Sequence, residues 1–196
     1  MEKIKQIMEQ LGLEANLTLD EIPKIDLYMD QVIQIFEKKF GQSKRNEDDK
    51  VLTKTMINNY AKGKLIFPIQ NKKYSKEHLI LISLIYQLKG GLSINDIKAT
   101  LDEMNKKIIM GDIDLESFYS SYLNLTQQNV EDFEQDIEER VKAVKDEVKG
   151  FKEDDSQYPE EVLMISSLVH MSNLYRRMAE KMVDGIMVEK EGKRHR

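Results

Sequence analysis

The sequence predicts an all-α chain with a small β-wing, closed by a C-terminal helical hairpin. Three observations carry this. Apolar residues recur at helical spacing along most of the 196 residues. Pro is scarce and β-branched residues rarely alternate with polar ones, so strands have little to form from. Leu65 to Tyr74 is the exception. Its apolar residues flank a polar turn, and Pro68 forbids a helix interior, which suits two short extended segments.

Taken in order, Met1 to Leu13 fits a short amphipathic helix with Ile4, Ile7, Met8 and Leu11 on one face. After Pro23 a clearer helix places Leu27, Tyr28, Val32, Ile35, Phe36 and Phe40 inward, and Gly41 stops it. Residues 41–50 read as a polar loop. Thr53 caps a short helix to about Lys62, in which Met56, Ile57 and Tyr60 share a face, and Gly63 suits a left-handed exit. The hairpin 65–74 follows. Ser75 then caps a helix rich in Leu and Ile, which Gly90-Gly91 ends. Ser93 caps the next, with Asp96 placed to reach back. From about Gly111 the character changes. Asp112 to Leu125 reads as a linking helix and Gln127 to Phe151 as a long charged one, with Val130, Phe133, Ile137, Val141, Val144, Val148 and Phe151 near heptad spacing. Residues 153–159 form a turn. A last helix, about Glu160 to Met187, carries a seam of Met164, Leu168, Met171, Tyr175, Met178 and Met182, followed by a basic tail. The expected domains are 22–110 and 111–190.

Charge separates these parts. Lys50 to Lys76 holds seven lysines and no Asp or Glu. With the whole chain at −5, the remainder sums to −12. Such asymmetry is the footprint of a polyanion-binding face on an acidic protein. There is no Cys, which excludes disulfides and thiolate metal sites and fits a reducing compartment. The N-terminus carries acids through its apolar positions, unlike a signal peptide, and no apolar run approaches ~20 residues. A cytoplasmic protein is expected.

A helix, a second short helix, a β-wing and a third helix make the order of a winged helix-turn-helix. The second helix would enter the major groove of duplex DNA and present Lys54, Thr55, Asn58 and Asn59 to base edges. Lys62, Lys64, Lys72 and Lys73 would meet phosphates from the helix end and the wing. Tyr60 and Tyr74 could add hydroxyl contacts, although a Tyr beside Met56 and Ile57 is more often core.

The stretch from Leu52 to Leu101 is similar to the DNA-binding half of MerR-type regulators at Tyr60, Leu65, Pro68, Tyr74, Ser75, Leu92, Ser93, Asp96 and Ile97. That resemblance implies a recognition helix ending in Tyr, a wing, and two capped helices behind it. Members of that family usually carry Arg where this chain has Lys54, Asn58 and Asn59, and the loop 41–50 lengthens the connection before the recognition helix. More closely, IDLYMDQV, LTKTMINNY, KKYSKEH and LSINDI resemble the bacterial domain-of-unknown-function 1836 family, over about residues 22–103.

Catalysis finds little support. His78, His170 and His195 are scattered, and no phosphate loop, nucleophile elbow or metal-ligand spacing is present, so no cofactor or metal is expected. The methionine seam admits a small apolar effector in the C-terminal domain, but a soft helix-hairpin core explains it more simply. The expected function is a DNA-binding transcriptional regulator acting as a homodimer. A protein-interaction adaptor that keeps the winged shape is the alternative.

Overall fold

The computed structural model describes residues 2–150 and 157–194. Among them the order is α1 (Glu2–Gln10), β1 (Leu27–Tyr28), α2 (Met29–Phe40), a 3-10 turn (Gly41–Ser43), α3 (Lys54–Lys62), β2 (Lys73–Tyr74), α4 (Lys76–Leu88), α5 (Ile94–Met110), α6 (Leu115–Val148) and α7 (Gln157–Arg194). The chain is mostly helical, with one small antiparallel sheet pairing Leu27 with Tyr74 and Tyr28 with Lys73. No described helix is long and apolar enough to cross a membrane.

α4 sits at the centre because its sequence leaves no polar face. From His78 to Ile85 every residue is buried. A helix that is apolar all round must be covered on all sides. α2 covers one side, where Phe36 and Phe40 cluster with Tyr86 at centroid distances of 6.4 and 4.5 Å. Tyr119 of α6 covers another. It is fully buried, donates its hydroxyl to Leu17 O at 2.7 Å and lies 2.9 Å from Ser83 Oγ. Burial pushes its pKa up to about 12. The resulting core runs from Leu17 to Tyr119, so it takes in residues on both sides of 22–110.

The caps form as the sequence predicts. Thr53 accepts the Met56 N–H at 3.1 Å, and Ser93 and Asp96 bond reciprocally. Other expectations need correction. Leu27 and Tyr28 do not open α2; they form β1, because the backbone of Lys73–Tyr74 pairs with them and they alternate buried and exposed. The hairpin 65–74 is therefore paired mainly with this third segment, and its own two arms share only a Gln70–Lys73 bridge. The linking and charged helices are one helix, α6, since neither Gly nor Pro interrupts Leu115 to Val148. Gly111, at φ 74°, ends α5 before it. α7 extends further at both ends than 160–187. Phe151, most of the 153–159 turn and His195 lie outside the described residues.

A second, smaller cluster joins Ile137, Val141 and Val144 of α6 to Met164 of α7, with Ile4 and Met8 of α1 packed against it. Arg140 fixes the hairpin by pairing with Asp136 and donating to Ser167 Oγ at 2.9 Å. The far end of α7 returns to α5. There Val183 is buried and Lys190 Nζ donates to Ala99 O at 2.9 Å and Asp102 Oδ2 at 3.1 Å.

His78 ties the 65–74 hairpin to α4. Its Nδ1 accepts the Ser75 N–H at 3.1 Å, which leaves Nε2 to carry the proton toward Phe67 O at 3.3 Å. The Phe67 ring stacks on it at 3.8 Å, and Ile69 also packs on the core. Burial lowers the His78 pKa; the Phe67 carbonyl, Glu77 and Asp26 partly offset this. The folded state thus holds His78 neutral, while the unfolded chain binds a proton near pH 6.5. Its contribution is complete above about pH 6.5 and is lost as pH falls from there toward the folded pKa. Urea melts at about pH 7.5 and about pH 5.5 should show a loss at the lower pH that is smaller in His78→Gln. An equal loss in both proteins would remove His78 as the cause.

Candidate nucleic-acid interface

α3 is divided by burial. Ile57 and Tyr60 point into the core, while Lys54, Thr55, Asn58, Asn59 and Lys62 lie on the exposed side. The spacing i, i+1, i+4, i+5, i+8 is one helical face. Five of the residues expected to contact DNA are thus brought together on one surface.

The end of α3 differs from expectation. Gly63 is right-handed, at φ −72°, and the left-handed position falls on Lys64, at φ 59°. Leu65 N–H donates to Tyr60 O at 2.9 Å and Lys64 N–H to Ala61 O at 3.1 Å, which is a Schellman closure one residue later. Gly63 is required for space: a Cβ there would lie 2.7 Å from Leu65 Cδ1 and 3.0 Å from Asn59 O. Asn105 of α5 holds this exit by donating to Leu65 O at 2.9 Å.

The hairpin turns tightly at Asn71 and Lys72, at φ 51° and 58°, with Lys73 N–H donating to Gln70 O at 2.9 Å. Two positive φ values mark a type I′ turn, where Asn-Gly is the usual pair. A lysine occupies the glycine position. Lys72 and Lys64 are therefore two exposed cations held in a backbone region that costs a side chain roughly 1–2 kcal/mol.

The start of α2 joins these two parts. Lys54 Nζ meets Asp30 Oδ1 at 2.7 Å, with both side chains about two-thirds exposed. Lys73 Nζ lies 5.5 Å from the centroid of the Tyr28 ring. Both contacts fall within three residues, so the N-terminus of α3 and the hairpin turn adjoin across α2. Lys76 pairs with Glu116 at 2.8 Å. Among the described residues Lys62, Lys64 and Lys72 have no carboxylate partner.

Tyr60 and Tyr74 must be withdrawn from the contact set. They are 4% and 2% exposed, and burial raises both pKa values. Each ring fills the core under the residues it was expected to assist. Two participants escaped the sequence reading. His78 occupies the reach-back position after Ser75 where Glu or Gln is usual, and Asp30 shows its role only through a contact distant in sequence. Among the described residues no cluster of His, Asp or Glu could hold a metal ion.

A family model described as a domain of unknown function, DUF1836, matches residues 17–122, just over half of the chain. The chain belongs to this family. The DUF1836 match coincides with the first core, Leu17 to Tyr119, so the family segment includes the start of α6. No curated protein and no solved structure matches the chain.

Left-handed strain at the two lysines can be measured. Lys64→Gly and Lys72→Gly should each raise stability by about 0.5–1 kcal/mol in urea denaturation, since glycine accepts positive φ. A loss of stability in either would show that the side chain contributes more than the backbone conformation costs.

Proposed function

We propose that α2, α3 and the 65–74 hairpin act as a MerR-like winged helix-turn-helix, and that the chain is a DNA-binding transcriptional regulator without catalytic activity. The observation that carries this reading is the placement of Lys64 and Lys72. Both are exposed and, among the described residues, lack carboxylate partners, and both occupy positions where glycine would be more stable. They flank the polar face of α3. Strained backbone of this kind gathers at ligand-binding sites. In this reading Asn58 and Asn59 meet base edges, Lys54 and Thr55 reach bases or phosphate, and Lys62, Lys64, Lys72 and Lys73 neutralise phosphates.

A protein-interaction adaptor remains the competing reading, and Asp30 favours it. Its exposed carboxylate beside Lys54 would repel phosphate and suits a partner with mixed charge. Salt separates the two. Five lysines on this face set a slope of up to about −4.5 in log K against log salt per chain, at about −0.9 per phosphate. Lys64→Gly or Lys72→Gly should weaken binding to all sequences and reduce the slope by about 1. Asn58→Ala should cost about 1–3 kcal/mol on a preferred site only. A slope near zero would favour the adaptor.

One short helix reads few base pairs, so the regulator should act as a homodimer. α7 offers a surface for it. Of its apolar seam Met164 is covered by α6, whereas Tyr175, Met178 and Met182 are 71%, 65% and 65% exposed. Sedimentation at micromolar concentration should give a dimer, and Met178→Lys with Met182→Lys a monomer. A monomeric parent protein would overturn this assembly.

A further inference from the structure

Away from the basic face, α1 lies across α6 and α7 and encloses a groove with a volume of about 460 Å³. Its floor is Phe133, Ile137 and Val144 of α6 with Met164 and Leu168 of α7. Ile7 of α1 and Leu11, which follows it, form one lip, and Ile165 of α7 contributes another apolar surface. These three are 44%, 45% and 62% exposed, more apolar surface than a closed core leaves in water. The volume falls in the range of small-molecule sites, about 300–1,000 Å³.

Charge around the groove is acidic on balance, with one lysine among its lining residues against two glutamates. At its edge stand Glu160 and Glu161, and Lys3 pairs with Glu161 at 2.8 Å. The opposite flank of α1 borders a second space of about 490 Å³, where Glu9, Glu14, Glu134 and Glu138 face one lysine, Lys5. None of those four glutamates has a cationic partner among the described residues. The two spaces share Ile4, Met8, Ile137 and Val141 in their walls, so the flank adjoins the groove and adds to the negative field there.

We propose that the groove between α1, α6 and α7 binds an amphiphilic cation, an apolar body with an ammonium-type head. The apolar part lies on Phe133, Val144, Met164 and Leu168, and the head faces Glu160, in the field of the acidic flank beyond α1. An anionic head is repelled and a neutral one is indifferent. α1 has only nine residues, too few to be stable as a helix alone, so an occupant that touches Ile7 and Leu11 also orders it.

The test uses the full chain and the fluorescence of N-phenylnaphthylamine, which brightens in an apolar site. Decylamine, decanol and decanoate then compete for it. Decylamine should displace the dye at about tenfold lower concentration than decanoate, a difference of about 1.4 kcal/mol. Glu160→Gln combined with Glu134→Gln and Glu138→Gln should erase that preference while dye binding remains. Ile7→Lys and Ile165→Trp, at exposed positions that leave the core intact, should abolish dye binding with unchanged melting. Equal displacement by all three compounds, or dye binding that survives both variants, would overturn the proposal. So would a basic amphipathic peptide that displaces the dye when decylamine does not, or dye binding seen only on dilution, as a groove closed by a second copy would give.

Discussion

The fold depends on one constraint: α4 cannot face water. A run of eight buried residues from His78 to Ile85 needs cover in every direction, and each neighbouring element supplies part of it. α2 contributes the Phe36–Phe40 pair, the hairpin contributes Phe67 against His78, and α6 contributes Tyr119. Elements carrying the exposed polar residues are thus placed by their buried sides. α3 has its orientation because Ile57 and Tyr60 must be inside, which turns Asn58 and Asn59 outward. The geometry of the basic face follows from apolar packing on the opposite side of each helix.

Local chemistry was legible in the sequence, and pairing between distant segments was not. Thr53, Ser75 and Ser93 announce helix starts because a capping side chain acts within three residues. The apolar character of α4 and the Pro68 break are equally local. β1 was hidden because Leu27 and Tyr28 fit a helix as well as a strand, and only Lys73–Tyr74, some forty-six residues on, decides between them. Gly63 misled for a related reason. Glycine is usual at a left-handed exit, but here the closeness of Leu65 fixes it and the exit falls on Lys64. The lysine excess was visible as composition. That two of those lysines are strained, and that Lys54 is paired with Asp30, depends on φ angles and on contacts the one-dimensional string does not carry.

The charge asymmetry of the sequence becomes spatial polarity in the fold. Lysines gather where α3 and the hairpin meet over the start of α2, and glutamates gather around α1 and the middle of α6. Strongly opposed charge within one chain invites the two regions to attract each other. The helices keep them apart, because α6 leaves the first core before its acidic stretch begins. α7 braces this separation by packing on α6 at one end and on α5 at the other.

Because α6 runs unbroken from Tyr119 to Ile137, the two regions share a rotational phase. The eighteen residue steps from one anchor to the other span about 27 Å, and each sets an azimuth of about 100°. The compass bearing of the acidic hairpin relative to the basic face is therefore counted out in residues, like teeth on a gear. A chain one residue longer in this span would point its hairpin about 100° away, whereas one seven residues longer would restore the bearing to within about 20°. Length variation along the exposed middle of α6 is thereby restricted to whole turns, although few of its side chains are buried.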